Sequence, residues 1–142
     1  MGFCRKKRIE RADQERNRDM NKPVRVILLD NADAEYKRLN EIVGQQLKEN
    51  KENTEEMQLL RSIKQKTEFV KANPFYGNNL PKVLIPEEYI LKYKADNLWR
   101  VELINYWRML YTIKGDQVEI ICFVLDIMDH KGYDKKFGYK KR

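Results

Sequence analysis

Between residues 118 and 127 the chain reads Val-Glu-Ile-Ile-Cys-Phe-Val-Leu-Asp-Ile, apolar at every position except Glu119 and Asp126. Side chains of a strand alternate between its two faces, so such a run is apolar on both and belongs inside a sheet covered on each side. Any fold for this chain must therefore supply two covering layers. The longest unbroken apolar run, residues 120–125, has the length of a strand. It falls far short of the about 20 residues that span a bilayer.

Upstream, two segments alternate. In residues 98–103, Trp99, Val101 and Leu103 share one face, and Leu98, Arg100 and Glu102 the other. In residues 107–113, Trp107, Met109, Tyr111 and Ile113 oppose Arg108, Leu110 and Thr112. If residues 104–106 form the connecting loop, Leu103 faces Trp107 and Val101 faces Met109. A slip of one residue would split these large side chains between opposite faces, so the pattern selects the register. The same register sets Glu102 opposite Arg108 and Arg100 opposite Leu110, which gathers Arg100, Glu102 and Arg108 on a polar face. Lys114, Gly115 and Asp116 read as the turn into the apolar strand.

The N-terminal half supplies a strand and two helices. Residues 24–29 are rich in Val, Ile and Leu and end at Asp30 and Asn31, a first strand. Asn31 or Asp33 is placed to cap a helix whose stripe is Tyr36, Leu39, Val43 and Leu47, widened by Ile42. Residues 50–53 interrupt it. Thr54 is the expected cap of a second helix, with Glu55 and Glu56 in its first turn and a stripe of Met57, Leu60, Ile63, Thr67 and Val70. Pro74 restricts Asn73 and ends this helix. A long loop with Gly77, Asn78, Asn79, Pro81 and Pro86 follows, then a helical turn over residues 87–93. The order is strand, helix, helix, three strands. The expected class is α+β, a small antiparallel-rich sheet packed on a helical hairpin.

The chain has 142 residues, enough for one domain, and a formal net charge of +7. Residues 1–20 alternate Arg and Lys with acids and carry too little apolar surface to fold alone. They read as a basic, flexible extension or as an upstream start, with Met20 the true beginning; the domain proper is residues 21–142. No apolar stretch follows the basic N-terminus as in a secretory signal, so the expected location is the cytoplasm. Cys4 and Cys122 have no ligand-like neighbours, and with a single histidine no metal site is expected. No cofactor is expected either. The positive charge points to nucleic acid, an acidic protein or an anionic surface as partner.

The string NLWRVELINYWRMLYTI at residues 97–113, the apolar strand after it, and the tail Asp129-His130-Lys131-Gly132-Tyr133 together resemble the RelE/ParE toxin superfamily. The likeness follows the order of elements over residues 23–139, and its motif lies in residues 97–133. RelE-type members are the toxins of type II toxin–antitoxin systems. They cut mRNA on the ribosome through the substrate's 2′-hydroxyl without a metal, and a cognate antitoxin neutralises them. ParE-type members inhibit gyrase. The resemblance assigns Arg108 to the scissile phosphate and Arg100 to a basic position beside it. His130 falls where a general acid or phosphate ligand stands, and Tyr133 where a tail tyrosine stacks on a base or assists proton transfer.

The chemistry asks for the same residue types. Attack by a 2′-hydroxyl needs a base, an acid for the leaving oxygen, and cations for the phosphorane. Histidine serves either proton role near neutrality, and arginine grips phosphate through paired hydrogen bonds. Glu102, the carboxylate nearest Arg108, is the candidate base; equally, it is a cross-strand ion pair and nothing more. Lys131, Lys135 and Lys136, with Lys140, Lys141 and Arg142, form a phosphate track or a solvated end. Two features depart from the family pattern: the N-terminal extension and the spacing Gly-Tyr-Asp after His130. Against the ribonuclease stands a non-catalytic binder, either a gyrase inhibitor or an RNA-binding relative.

Overall fold

The computed structural model describes residues 22–138. The expected N-terminal extension, Cys4, and the basic tail residues Lys140, Lys141 and Arg142 lie outside them. The elements are β1 (Val24–Leu28), α1 (Asp30–Lys48), α2 (Glu55–Ala72), β2 (Asn78–Asn79), α3 (Glu87–Tyr93), β3 (Trp99–Glu102), β4 (Arg108–Gly115), β5 (Ile120–Met128) and α4 (His130–Phe137). A 3-10 turn occurs at Lys82–Leu84, and residues 104–106 form the tight hairpin turn between β3 and β4. The class is α+β. One sheet runs β1-β5-β4-β3-β2, with β1 parallel to β5 and every other pair antiparallel.

The doubly apolar strand is β5, flanked by β1 and β4 and buried on both faces. Ile120, Cys122, Val124 and Ile127 join the helical hairpin α1–α2 in one core. Leu125 joins a second core on the opposite face, made with Leu80, Ile85, Tyr89, Ala95, Leu98, Leu110 and Tyr133. The β3–β4 register is the expected one, with Val101 opposite Met109 and Glu102 opposite Arg108. Asn97 extends this ladder with its side chain. Its Oδ1 accepts from the Ile113 N–H at 2.8 Å and its Nδ2 donates to the Ile113 carbonyl at 3.0 Å.

Several sequence expectations are corrected. Residues 129–138 do not trail away as a tail; they form α4, capped by Asp129 Oδ1 accepting from the Gly132 N–H at 2.8 Å. The cap of α1 is Leu29, with no side-chain bond, and not Asn31 or Asp33, which lie inside the helix. The carboxylate beside that cap, Asp30, is drawn away to the Tyr93 hydroxyl at 2.7 Å. Leu47 is 61% exposed, so the α1 stripe ends at Val43. The strand β4 continues to Gly115, and Val118 lies in the turn before β5.

The long loop is tied down rather than loose. Tyr111 donates its hydroxyl to the Pro74 carbonyl at 2.6 Å and accepts the Gly77 N–H at 3.1 Å. Gly77 sits so close to β3 that an added Cβ would meet the Arg100 carbonyl oxygen at 2.9 Å, so a side chain there would displace the loop. Cys122 is fully buried and burial pushes its thiol up to about 12, which makes it an inert core residue.

Thr54 caps α2 as expected, its hydroxyl oxygen accepting from the Met57 N–H at 3.1 Å. The same hydroxyl donates to Gln46 Oε1 at 2.6 Å, and Gln46 reaches Glu56 at 3.0 Å, joining the end of α1 to the start of α2. Thr54→Ala is expected to lower unfolding free energy by about 1 kcal/mol, measured by urea denaturation, with Thr54→Ser retaining most of it. Among the described residues no helix is long and apolar enough to cross a membrane.

Candidate functional site

On the second face of the sheet, β3 and β4 present Arg100, Glu102 and Arg108 side by side. Period-two alternation puts Arg100 and Glu102 on one face, and the register delivers Arg108 directly across from Glu102. Glu102 lies between the two arginines, its Oε2 3.3 Å from Arg100 Nε and its Oε1 3.7 Å from Arg108 Nε. The Glu102 side chain is half exposed, whereas that of Arg108 is only 16% exposed.

This face is not the open polar surface that alternation alone implies, because α4 lies against it. Tyr133, one turn into α4, is buried beneath both guanidinium groups. Arg108 Cζ stands 4.7 Å and Arg100 Cζ 5.7 Å from its ring centroid, and Arg100 Nη1 donates to its hydroxyl at 2.9 Å. Phe137, a further turn on, stacks against Tyr133 at 4.4 Å between centroids. An aromatic face attracts the cations and excludes water from their inner side. The tyrosine is thus the floor of the arginine pair.

Arg108 also reaches the hairpin loop, with Nη1 donating to the Tyr106 carbonyl at 2.7 Å. Its Nε is buried without a hydrogen bond, the Glu102 oxygen at 3.7 Å being beyond bonding range. Among the described residues Nη2 of Arg108 makes no hydrogen bond. His130 opens α4 at the rim of the cluster with its side chain 57% exposed, and its Nε2 lies 3.3 Å from Asp134 Oδ2. Its ring centroid is 6.3 Å from that of Tyr106, which makes Tyr106 the bridge between His130 and Arg108.

The basic residues of α4 divide. Lys131 and Lys135 are exposed. Lys136 is turned inward over the Tyr89 ring, paired with Glu88 and 3.8 Å from the buried Asp126. Its ammonium therefore serves the second core rather than an outer track. On the far side of Glu102 an open groove of about 690 Å³ runs between α2 and the hairpin tip, lined by Arg61, Ser62, Gln65, Lys66 and Ile104. Ser62 Oγ accepts the Ile104 N–H at 3.1 Å and fixes that wall.

Sequence reasoning gathers Arg100, Glu102 and Arg108, and misses Tyr106 and Asp134. Asp134 has a signal: Asp129 as a cap, then Tyr133 and Phe137 four residues apart, marks a helix on which His130 and Asp134 share a face. Tyr106 has none, since its role depends on loop geometry. No group of metal-ligating side chains occurs among the described residues. Set against models of protein families, curated proteins and solved structures, the chain matches none.

Proposed function

We propose that this chain is a ribosome-dependent mRNA endonuclease, the toxin of a type II toxin–antitoxin pair. The observation that carries the reading is the pair of guanidinium groups held on a buried tyrosine beside a half-exposed carboxylate, with a histidine at the rim. The α+β class is compatible with the RelE-like assignment, although β2 and α3 intervene between the helical hairpin and the last three strands and α4 follows them. In the proposed reaction the substrate's 2′-oxygen attacks the neighbouring phosphorus and the bond to the 5′-oxygen breaks. A cyclic 2′,3′-phosphate and a free 5′-hydroxyl result. Arg108 and Arg100 stabilise the charge that gathers on the phosphorane. His130, oriented by Asp134, protonates the leaving oxygen, and Glu102 takes the 2′-hydroxyl proton. Lys131 and Lys135 attract the flanking phosphates. A short acidic antitoxin is the partner that the basic charge favours.

One observation favours the non-catalytic alternative. Glu102 is already engaged by both arginines, as in a network whose only work is structural. Induced expression in a bacterial host, with primer extension on a reporter mRNA, separates the two. The expected result is growth arrest with new 5′ ends confined to translated regions. Arrest with intact mRNA would instead assign the gyrase-inhibitor role, and no arrest the degenerate RNA-binding relative.

A further inference from the structure

The hairpin tip is a two-residue turn closed by the Trp107 N–H donating to the Ile104 carbonyl at 3.3 Å, a turn that takes positive φ at both central positions and ordinarily fills them with Asn and Gly. Asn105 and Tyr106 both adopt positive φ, 61° and 65°. Asparagine tolerates this region, but a bulky aromatic residue is an outlier there, and glycine would turn the chain with less strain. The Tyr106 side chain gains no burial in return, being 73% exposed. Its carbonyl is fixed by Arg108 Nη1, and one side of the ring faces His130, tilted by 58°. An exposed aromatic ring, on a backbone conformation that glycine adopts with less strain, therefore stands next to the residue assigned to the phosphate. Such strain persists where its surroundings hold it and is concentrated at working sites.

We propose that Tyr106 is a stacking platform for an unpaired nucleobase of the RNA, adjoining the phosphate held by Arg108. The proposal rests on the ribonuclease reading and adds a subsite to it. A flat π surface beside a guanidinium is the standard pairing for a single-stranded nucleotide, one element taking the base and the other the phosphate. Stacking is tolerant of sequence but favours the larger purine rings, so the platform biases the enzyme toward a purine at this position.

The test uses the full chain and fluorescein-labelled 2′-O-methyl RNA, which binds without being cut, as adenosine and uridine oligomers. Wild type and Tyr106→Phe are expected to bind the adenosine oligomer more tightly. Tyr106→Leu and Tyr106→Gly are expected to weaken that binding on the order of tenfold and to erase the preference for adenosine. Tyr106→Gly also relieves the backbone strain, so its melting temperature is expected to rise while its affinity falls. Unchanged affinity in Tyr106→Gly overturns the platform and leaves the ribonuclease reading standing. A fall in both affinity and melting temperature assigns the ring a structural role and overturns the platform too. If the wild-type chain binds neither oligomer, the platform is overturned, while the ribosome-dependent ribonuclease reading is decided by the primer-extension experiment alone.

Discussion

Arg108→Ala is expected to reduce mRNA cleavage by about 100- to 1,000-fold, the loss seen when one preorganised charge-stabilising donor is removed, and to relieve growth arrest. The argument is geometric. Arg108 is held from three sides, by the Tyr133 ring, the Tyr106 carbonyl and the Glu102 carboxylate. A guanidinium so fixed needs no reorganisation as charge develops on a phosphorane. Arg108→Lys keeps the charge but loses the planar fork and its ring contact, so it is expected to recover little. His130→Ala should relieve arrest in the same sense, by removing the acid. The fold is expected to survive each change, checked by a single cooperative melt. If Arg108→Ala and His130→Ala are both fully toxic, the assigned site is wrong.

Why this site is half legible in the sequence can be argued from individual residues. Alternation in residues 98–103 and 107–113, together with a three-residue loop at 104–106, contains the register, because a one-residue slip would split Trp99, Val101, Leu103, Trp107, Met109 and Tyr111 between faces. From it follows the adjacency of Arg100, Glu102 and Arg108. Alternation says which side chains share a face, but not what covers that face. The cover is α4, a short, charge-rich segment with few apolar residues, whose helix is marked only by the Asp129 cap and the spacing of Tyr133 and Phe137. Once α4 is in place, Tyr133 becomes a floor and Lys136 an inner cation, roles that charge and position alone do not convey.

The strand β5 shows the same limit in its own pattern. The register shift between Leu110 and Tyr111 leaves Leu125 as an extra residue, since Leu110 pairs with Asp126 and Tyr111 with Val124. A bulge of this kind sets two successive side chains on one side of the strand. Leu125 and Asp126 therefore both face the second core, while Val124 and Ile127 face the helical hairpin. Strict alternation would have sent Asp126 the other way, into the core beneath α1 and α2. Nothing in the string Val-Leu-Asp-Ile marks the bulge, which places the buried carboxylate against the Tyr89 hydroxyl and Lys136.

Those partners give the last expectation. Asp126 Oδ2 accepts the Tyr89 hydroxyl at 2.7 Å, and Lys136 Nζ stands 3.8 Å away. Asp126→Ala would leave the Tyr89 hydroxyl buried without an acceptor, so unfolding free energy is expected to fall by about 3 kcal/mol, the desolvation penalty of a stranded donor with some lost packing. Asp126→Asn keeps an acceptor and should fall by less. The pH dependence has a definite sign. Burial raises the Asp126 pKa above its ordinary value, against the lowering pull of the Tyr89 bond and of Lys136. A folded state that holds its proton longer than the unfolded chain gains stability below the unfolded value, about 3.9, and loses it as pH rises through the raised folded value. Measured by chemical denaturation, wild-type stability minus that of Asp126→Asn should therefore decline as pH rises from 4 toward neutrality. A difference that grows over this range would mean that the attraction of Lys136 outweighs burial. Because Lys136 lies on α4 one residue before Phe137, the same pairing fixes the helix that seats Tyr133 beneath the arginines. Asp126→Ala is therefore expected to loosen the site as well as the core.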